Sequence, residues 1–218
     1  MNDNPCKSHK GKMELKVSYD RNNPLSGIQE TAKDFVKNYR IHVYDKSNDF
    51  VIVPLWVEAY YYDEEKGIDY GSDGKVRQEN NFGGLYFRFT SKEKETYSSN
   101  YNRVDLCLSD KDKIHFSLLL KSTLVNGKYK TQSQLANDLL NAFGPDGDYT
   151  VEVVKRENPA ASVKTEKRIN FPPKGHPEEE REKLANKELA FTVDRFTDNT
   201  EFCLEPDKEH TKLTKKIK

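Results

Sequence analysis

Short apolar runs separated by long polar stretches make up this chain, and two of the apolar patterns have helical period. After Asn22, Asn23 and Pro24, which read as a helix start, Leu25, Ile28, Ala32, Phe35, Val36 and Tyr39 recur at about 3.6 residues and so share one face. Thr131 followed by Gln134 predicts a capping box. Leu135, Leu139, Leu140 and Phe143 continue it as an apolar stripe, closed by Gly144 and Pro145. A further helix start is expected at Pro177.

Alternation and apolar runs predict the strands. Arg40 to Tyr44 and Phe50 to Tyr60 pair across the polar turn Asp45 to Asp49, and Val104 to Leu108 pairs with Ile114 to Leu120 across Asp110-Lys111-Asp112. Leu85 to Phe89, Tyr149 to Val154, Arg168 to Phe171 and Leu189 to Val193 complete the set, with Asn126-Gly127 as a turn signal. Tyr61 to Asn81 and Thr90 to Asn102 read as polar loops, and Lys155 to Lys167 as a linker. The sum predicts an α+β single domain, a curved, mostly antiparallel sheet with a few packed helices. Its expected limits are a flexible N-terminal segment at 1–23, a domain at 24–204 and a charged C-terminal tail at 205–218.

Composition sharpens this in three ways. A length of 218 residues supports one proper core, but with 34% hydrophobic and 33% charged residues that core must lean on the 12 Tyr and 11 Phe. Basic and acidic residues balance at 36 each, so the chain exerts no global pull on nucleic acid. Contact with DNA is expected to be weak and local, through Lys7, Lys10, Lys12 and Lys16 at one end and Lys208, Lys212, Lys215, Lys216 and Lys218 at the other. Cys6, Cys107 and Cys203 form no Cys-x-x-Cys pair and the histidines are scattered, so neither a disulfide framework nor a metal site is expected. Met1 to Pro5 lacks the apolar run of a secretory leader, and no apolar stretch reaches membrane length. The expectation is a cytoplasmic protein without membrane contact.

The strongest candidate for chemistry is Trp56-Val57-Glu58-Ala59-Tyr60, at the exit of the most apolar run in the chain. A glutamate held on rigid scaffold beside aromatic rings suits general-base work on a flat substrate. A glutamate at a strand end also fits a solvated terminus, and both readings stand at this point. Glu14-Leu15-Lys16 has the Glu-x-Lys look of a metal-dependent nuclease, but almost no chain precedes it to supply the second acidic ligand.

Several segments also occur in a telling order: Ala32-Lys33-Asp34-Phe35, Val57-Glu58-Ala59-Tyr60, Phe82-Gly83-Gly84-Leu85-Tyr86, Leu118-Leu119-Leu120-Lys121, Gln134 to Leu139, Arg168 to Phe171 and Glu188 to Val193. In this order, over residues 25 to 200, the chain resembles the alkyladenine (3-methyladenine) DNA glycosylase family. The resemblance implies a glycosylase-like fold that hydrolyses the N-glycosidic bond of a damaged purine, without metal or organic cofactor. It implies Glu58 as general base, Tyr60 as the ring that stacks on an extruded base, and Tyr86, Arg88, Asp105 and Lys121 as further base-binding positions. Extrusion is needed because the glycosidic bond is inaccessible inside a stacked duplex.

Arg88 stands where the family has a second pocket tyrosine and Asp105 is the nearest counterpart of its pocket-floor asparagine, and two further stretches depart from that pattern. Ile68-Asp69-Tyr70 stands where the family carries a pocket histidine, and Thr90-Ser91-Lys92 where it carries a wedge tyrosine, with Tyr97 or Tyr101 as candidate substitutes. Tyr86 and Phe87 also fit ordinary strand positions, and Arg88 with Asp105 a cross-strand ion pair. Two alternatives to a DNA glycosylase therefore stay open: a non-catalytic nucleic-acid or protein binding module on the same fold, and a nucleoside hydrolase using the same carboxylate.

Overall fold

The computed structural model describes residues 7–72, 81–89, 101–109, 111–144, 147–168, 179, 187–196, 203–206 and 213–216. In chain order the elements are β1 (Lys7–Met13), α1 (Leu25–Asn38), β2 (Tyr39–Tyr44), β3 (Asp49–Asp63), β4 (Ile68–Asp69), β5 (Leu85–Phe89), β6 (Tyr101–Cys107), β7 (Ile114–Val125), β8 (Lys128–Thr131), α2 (Gln132–Phe143), β9 (Asp148–Lys155), β10 (Ala160–Glu166), β11 (Ala190–Phe196), β12 (Cys203–Pro206) and β13 (Leu213–Lys216). The described fold mixes helix and strand, is mostly strand, and curves its sheet into a half-barrel. Along the sheet the order is β1-β9-β2-β3-β7-β6-β5, with β11 and β4 both on β3 and β10 on β11. All pairs are antiparallel except β1 with β9.

Among the described residues, α1 and α2 cover one face of this sheet. The stripe of α1, with Ile28, Ala32, Phe35 and Val36 buried, meets β3, β10 and β11. The stripe of α2, with Leu135, Ala136, Leu139, Leu140 and Phe143 buried, meets β6 and β7. Burying a Phe or Leu side chain contributes about 1.5–3 kcal/mol, so these stripes, rather than helix propensity, fix where the helices sit. The capping box at Thr131 forms as expected: Thr131 Oγ1 accepts from the Gln134 N–H, and Gln134 Oε1 accepts from the Thr131 N–H at 3.0 Å. Asn126 and Gly127 both have positive φ, 47° and 77°, the conformation that a two-residue turn between β7 and β8 requires.

Several local expectations change. Residues 1–23 were expected to be loose, yet β1 from that segment lies along β9, and Leu15 is buried in the core. A parallel edge strand is held by backbone hydrogen bonds, so the polar Lys7–Met13 carries no apolar signature of it. The linker expected at 155–167 contains β10, in which small and polar residues alternate in exposure while the backbone pairs with β11. Strand β3 runs on through Tyr61 to Asp63, into the stretch expected as a polar loop. Asp63 is fully buried there because Arg21 grips it with Nε at 2.6 Å and Nη2 at 2.7 Å. Within the tail expected at 205–218, Leu213–Lys216 pairs back onto Cys203–Pro206. Of the strand expected at Arg168 to Phe171, Arg168 lies outside any strand and the remainder lies outside the described residues, as does most of the helix expected after Pro177. Among the described residues no helix is long and apolar enough to cross a membrane.

Candidate functional site

Because side chains alternate along a strand, the residues that do not face the helices face the other way. On β3 the core takes Leu55, Val57, Ala59 and Tyr61, leaving Trp56, Glu58 and Tyr60 on the opposite face. On β7 it takes Phe116, Leu118 and Leu120, leaving His115, Ser117, Leu119 and Lys121. Register then fixes the neighbours: Glu58 lies between Leu119 on β7 and Ala190 on β11, Tyr60 opposite Ser117, and Asp105 on β6 between Leu119 and Tyr86 on β5. The second face of the sheet thus gathers Glu58, Tyr60, Tyr86, Asp105 and Lys121 from four strands. Arg88, two residues beyond Tyr86 and in register with Arg103, has a side chain outside those described.

Glu58 is 2% exposed, between an aliphatic and a methyl side chain, so its charge interactions are poorly screened. Its Oε2 accepts the Tyr60 hydroxyl at 2.8 Å. Its Oε1 is buried and receives no hydrogen bond from a described residue; Lys121 Nζ stands 3.7 Å away. The lysine is aimed by an irregularity in the ladder. Register between β3 and β7 slips by one at Trp56 and recovers at Val57, beside Pro54, which has no N–H to give to the ladder. At that slip Lys121 Nζ lies 5.0 Å from the centre of the Trp56 ring, a cation–π contact that holds the ammonium beside the glutamate.

Arg168, which opens the Arg168 to Phe171 segment, has no site role assigned from the sequence. It is 5% exposed, its guanidinium carbon lies 4.8 Å from the centre of the Tyr60 ring, and its Nη1 donates to Ala59 O at 3.0 Å and Tyr70 O at 2.9 Å. Burial lowers its pKa from the ordinary arginine value, against the opposing pull of Tyr60, Glu58 and Asp69. Each ring that flanks Glu58 on its own strand therefore has a cation over it: Lys121 over Trp56, Arg168 over Tyr60.

Further along the same face lies a hydrogen-bonded row. Ser117 Oγ is 3.2 Å from His115 Nε2 and 3.5 Å from Asp105 Oδ2, and all three residues are buried. His115 stands opposite Tyr62, so a histidine reaches this face from β7 although none lies in Ile68-Asp69-Tyr70. The period-two series His115, Ser117, Leu119, Lys121 was a signal in the sequence that places all four together. Arg168 was visible only as the first residue of the Arg168 to Phe171 segment, with nothing to mark its partners, which lie about a hundred residues upstream at separations of 109 and 98.

Among the described residues no group of three His, Cys, Asp or Glu side chains has metal-site geometry. The groups on this face suit proton transfer and polar recognition: a carboxylate with one oxygen anchored, a buried arginine, a partly buried lysine and a Ser–His–Asp row. A scan of the chain against protein-family models finds no match, and a search of curated proteins finds none.

Proposed function

We propose that the chain is a divergent glycosylase-like hydrolase in which Glu58 activates water against the N-glycosidic bond of a damaged purine in DNA. One observation carries the reading: Glu58 is buried, one oxygen is held by Tyr60, and the other accepts no hydrogen bond from a described residue. A buried acceptor without a donor costs about 1–3 kcal/mol, a cost more readily understood where the oxygen serves a bound water or substrate than where the residue is structural. In the reaction the water oxygen bonds to C1′ of the sugar, the C1′–N bond breaks with its electron pair going to the base, and the water proton goes to Glu58 Oε1. Tyr60 fixes the carboxylate rotamer, and the Lys121 ammonium stands 3.7 Å from the oxygen that takes the proton. Tyr86, Asp105 and Arg88 are the proposed contacts to the base.

A second reading, a non-catalytic binding module on the same sheet face, is favoured by Arg168. Its guanidinium lies over the ring of Tyr60 that the first reading assigns to stacking, so a base would have to share that ring with it.

Abasic-site formation in DNA containing hypoxanthine or 3-methyladenine separates the two. The expected result is base release by the wild type and its loss in Glu58→Gln with DNA affinity kept, because the amide preserves shape but cannot take the proton. A wild type that binds DNA and releases none of the damaged bases supplied, in duplex or single strand, turns the conclusion to the binding module.

A further inference from the structure

The strand edge that carries the Glu58–Tyr60 pair has a gap in its ladder. On that side β11 pairs with β3 at Trp56, Val57 and Glu58, and β4 pairs with it at Tyr62 and Asp63. Between these points the Ala59 N–H donates to Leu189 O at 2.8 Å and the Tyr70 N–H donates to Tyr61 O at 2.7 Å. The Ala59 carbonyl, in the peptide joining Ala59 to Tyr60, points to the same side, where among the described residues of β11 and β4 no backbone N–H donates to it. Arg168 supplies one: a single guanidinium nitrogen bonds both Ala59 O and Tyr70 O, joining the two flanking segments across the gap, while the guanidinium covers the Tyr60 ring.

From this geometry we infer that Arg168 is a positioning residue for Glu58. It fixes the Ala59–Tyr60 peptide and the Tyr60 ring together, and so sets the hydroxyl that anchors Glu58 Oε2. The inference rests on Glu58 being the working carboxylate, but its structural half stands without it. Arginine suits the place because its planar fork presents several N–H groups in fixed directions and stays charged when buried, whereas a lysine ammonium would bond the carbonyls without covering the ring in the same way.

The molecule contains its own control. Arg156 is also buried and also donates to backbone carbonyls, with Nε to Lys37 O at 2.9 Å and Nη2 to Val36 O at 2.8 Å, but at the end of α1. A purely structural role for Arg168 predicts that Arg168→Met and Arg156→Met behave alike. The experiment uses the full chain with Arg168→Met, Arg168→Lys and Arg156→Met, compared at equal folded fraction. One readout is single-turnover base release set beside DNA affinity; the other is the emission and acrylamide quenching of Trp56, the single tryptophan of the chain, two residues before Glu58.

The expected result is a loss of about 100-fold in release for Arg168→Met, the scale of a misplaced catalytic group, with affinity nearly kept, partial rescue in Arg168→Lys, and altered Trp56 emission. Arg156→Met should change neither release nor emission. Equal effects of the two Met substitutions, or none from Arg168→Met, overturn the inference. Should the wild type release no base, the hydrolase reading fails, and the Trp56 comparison alone decides whether Arg168 positions the pair.

Discussion

Replacing both members of the Glu58–Lys121 pair should leave the protein about as stable as it is now. At 3.7 Å the pair attracts by about 4 kcal/mol if the effective dielectric is about 20. Against this stands desolvation of several kcal/mol for buried Glu58 and a smaller share for partly buried Lys121, and among the described residues Glu58 accepts a hydrogen bond from the Tyr60 hydroxyl alone. Lys121→Met keeps a packed side chain over Trp56 but strands the carboxylate, which should cost about 3 kcal/mol. For a chain of this size that lowers Tm by about 6–12 °C. Glu58→Met should cost only about 1 kcal/mol, since Lys121 keeps its aromatic contact and its side chain, 12% exposed, reaches toward water. The double variant should lie within about 1 kcal/mol of wild type, or above it, because two apolar side chains replace two poorly compensated charges. Urea unfolding followed by circular dichroism measures all four proteins and should give a coupling of about 3–4 kcal/mol. A double variant that loses the sum of the two single costs, about 4 kcal/mol, would refute the reasoning, because it would mean the pair is a stability feature rather than a site held against stability.

Two further outcomes follow from charge. Burial pushes the Asp63 carboxyl up, but the Arg21 guanidinium, the Lys66 N–H and the Tyr61 hydroxyl outweigh it and hold its pKa below the usual value, so its contribution is full above about pH 4 and is lost as pH falls through the folded-state pKa. In Arg21→Met the main partner is gone and burial raises that pKa, so the variant is penalised at neutral pH and less so in acid. The gap in urea midpoint should narrow from pH 7 to pH 3, and a constant gap would sink the assignment. With 36 basic and 36 acidic residues, DNA binding should be weak with a shallow salt dependence, and changing Lys208, Lys212, Lys215, Lys216 and Lys218 to Gln should flatten it further, as read by fluorescence anisotropy. A steep slope that survives those changes would require a folded basic groove.

What the sequence determined by itself was local and periodic. The stripe Ile28, Ala32, Phe35, Val36 can be buried only on a helix, the Thr131–Gln134 box can close only at a helix start, and Asn126-Gly127 suits a turn that needs two positive φ values. Alternation likewise set Trp56, Glu58 and Tyr60 on one side of a strand and His115, Ser117, Leu119 and Lys121 on one side of another. Tertiary structure alone decided which strands stand side by side, and hence that these two rows share a face with Asp105 and Tyr86. Strand order is set by backbone hydrogen bonds, which every residue but proline can make, so β1 and β10 joined the sheet with no apolar pattern to announce them. The slip at Trp56 that brings Lys121 beside Glu58, and Arg168 filling a ladder gap about a hundred residues before it, are likewise products of packing. A side chain that satisfies a distant carbonyl leaves no periodic trace in its own neighbourhood. The chemistry most specific to this site was for that reason the least visible in the sequence.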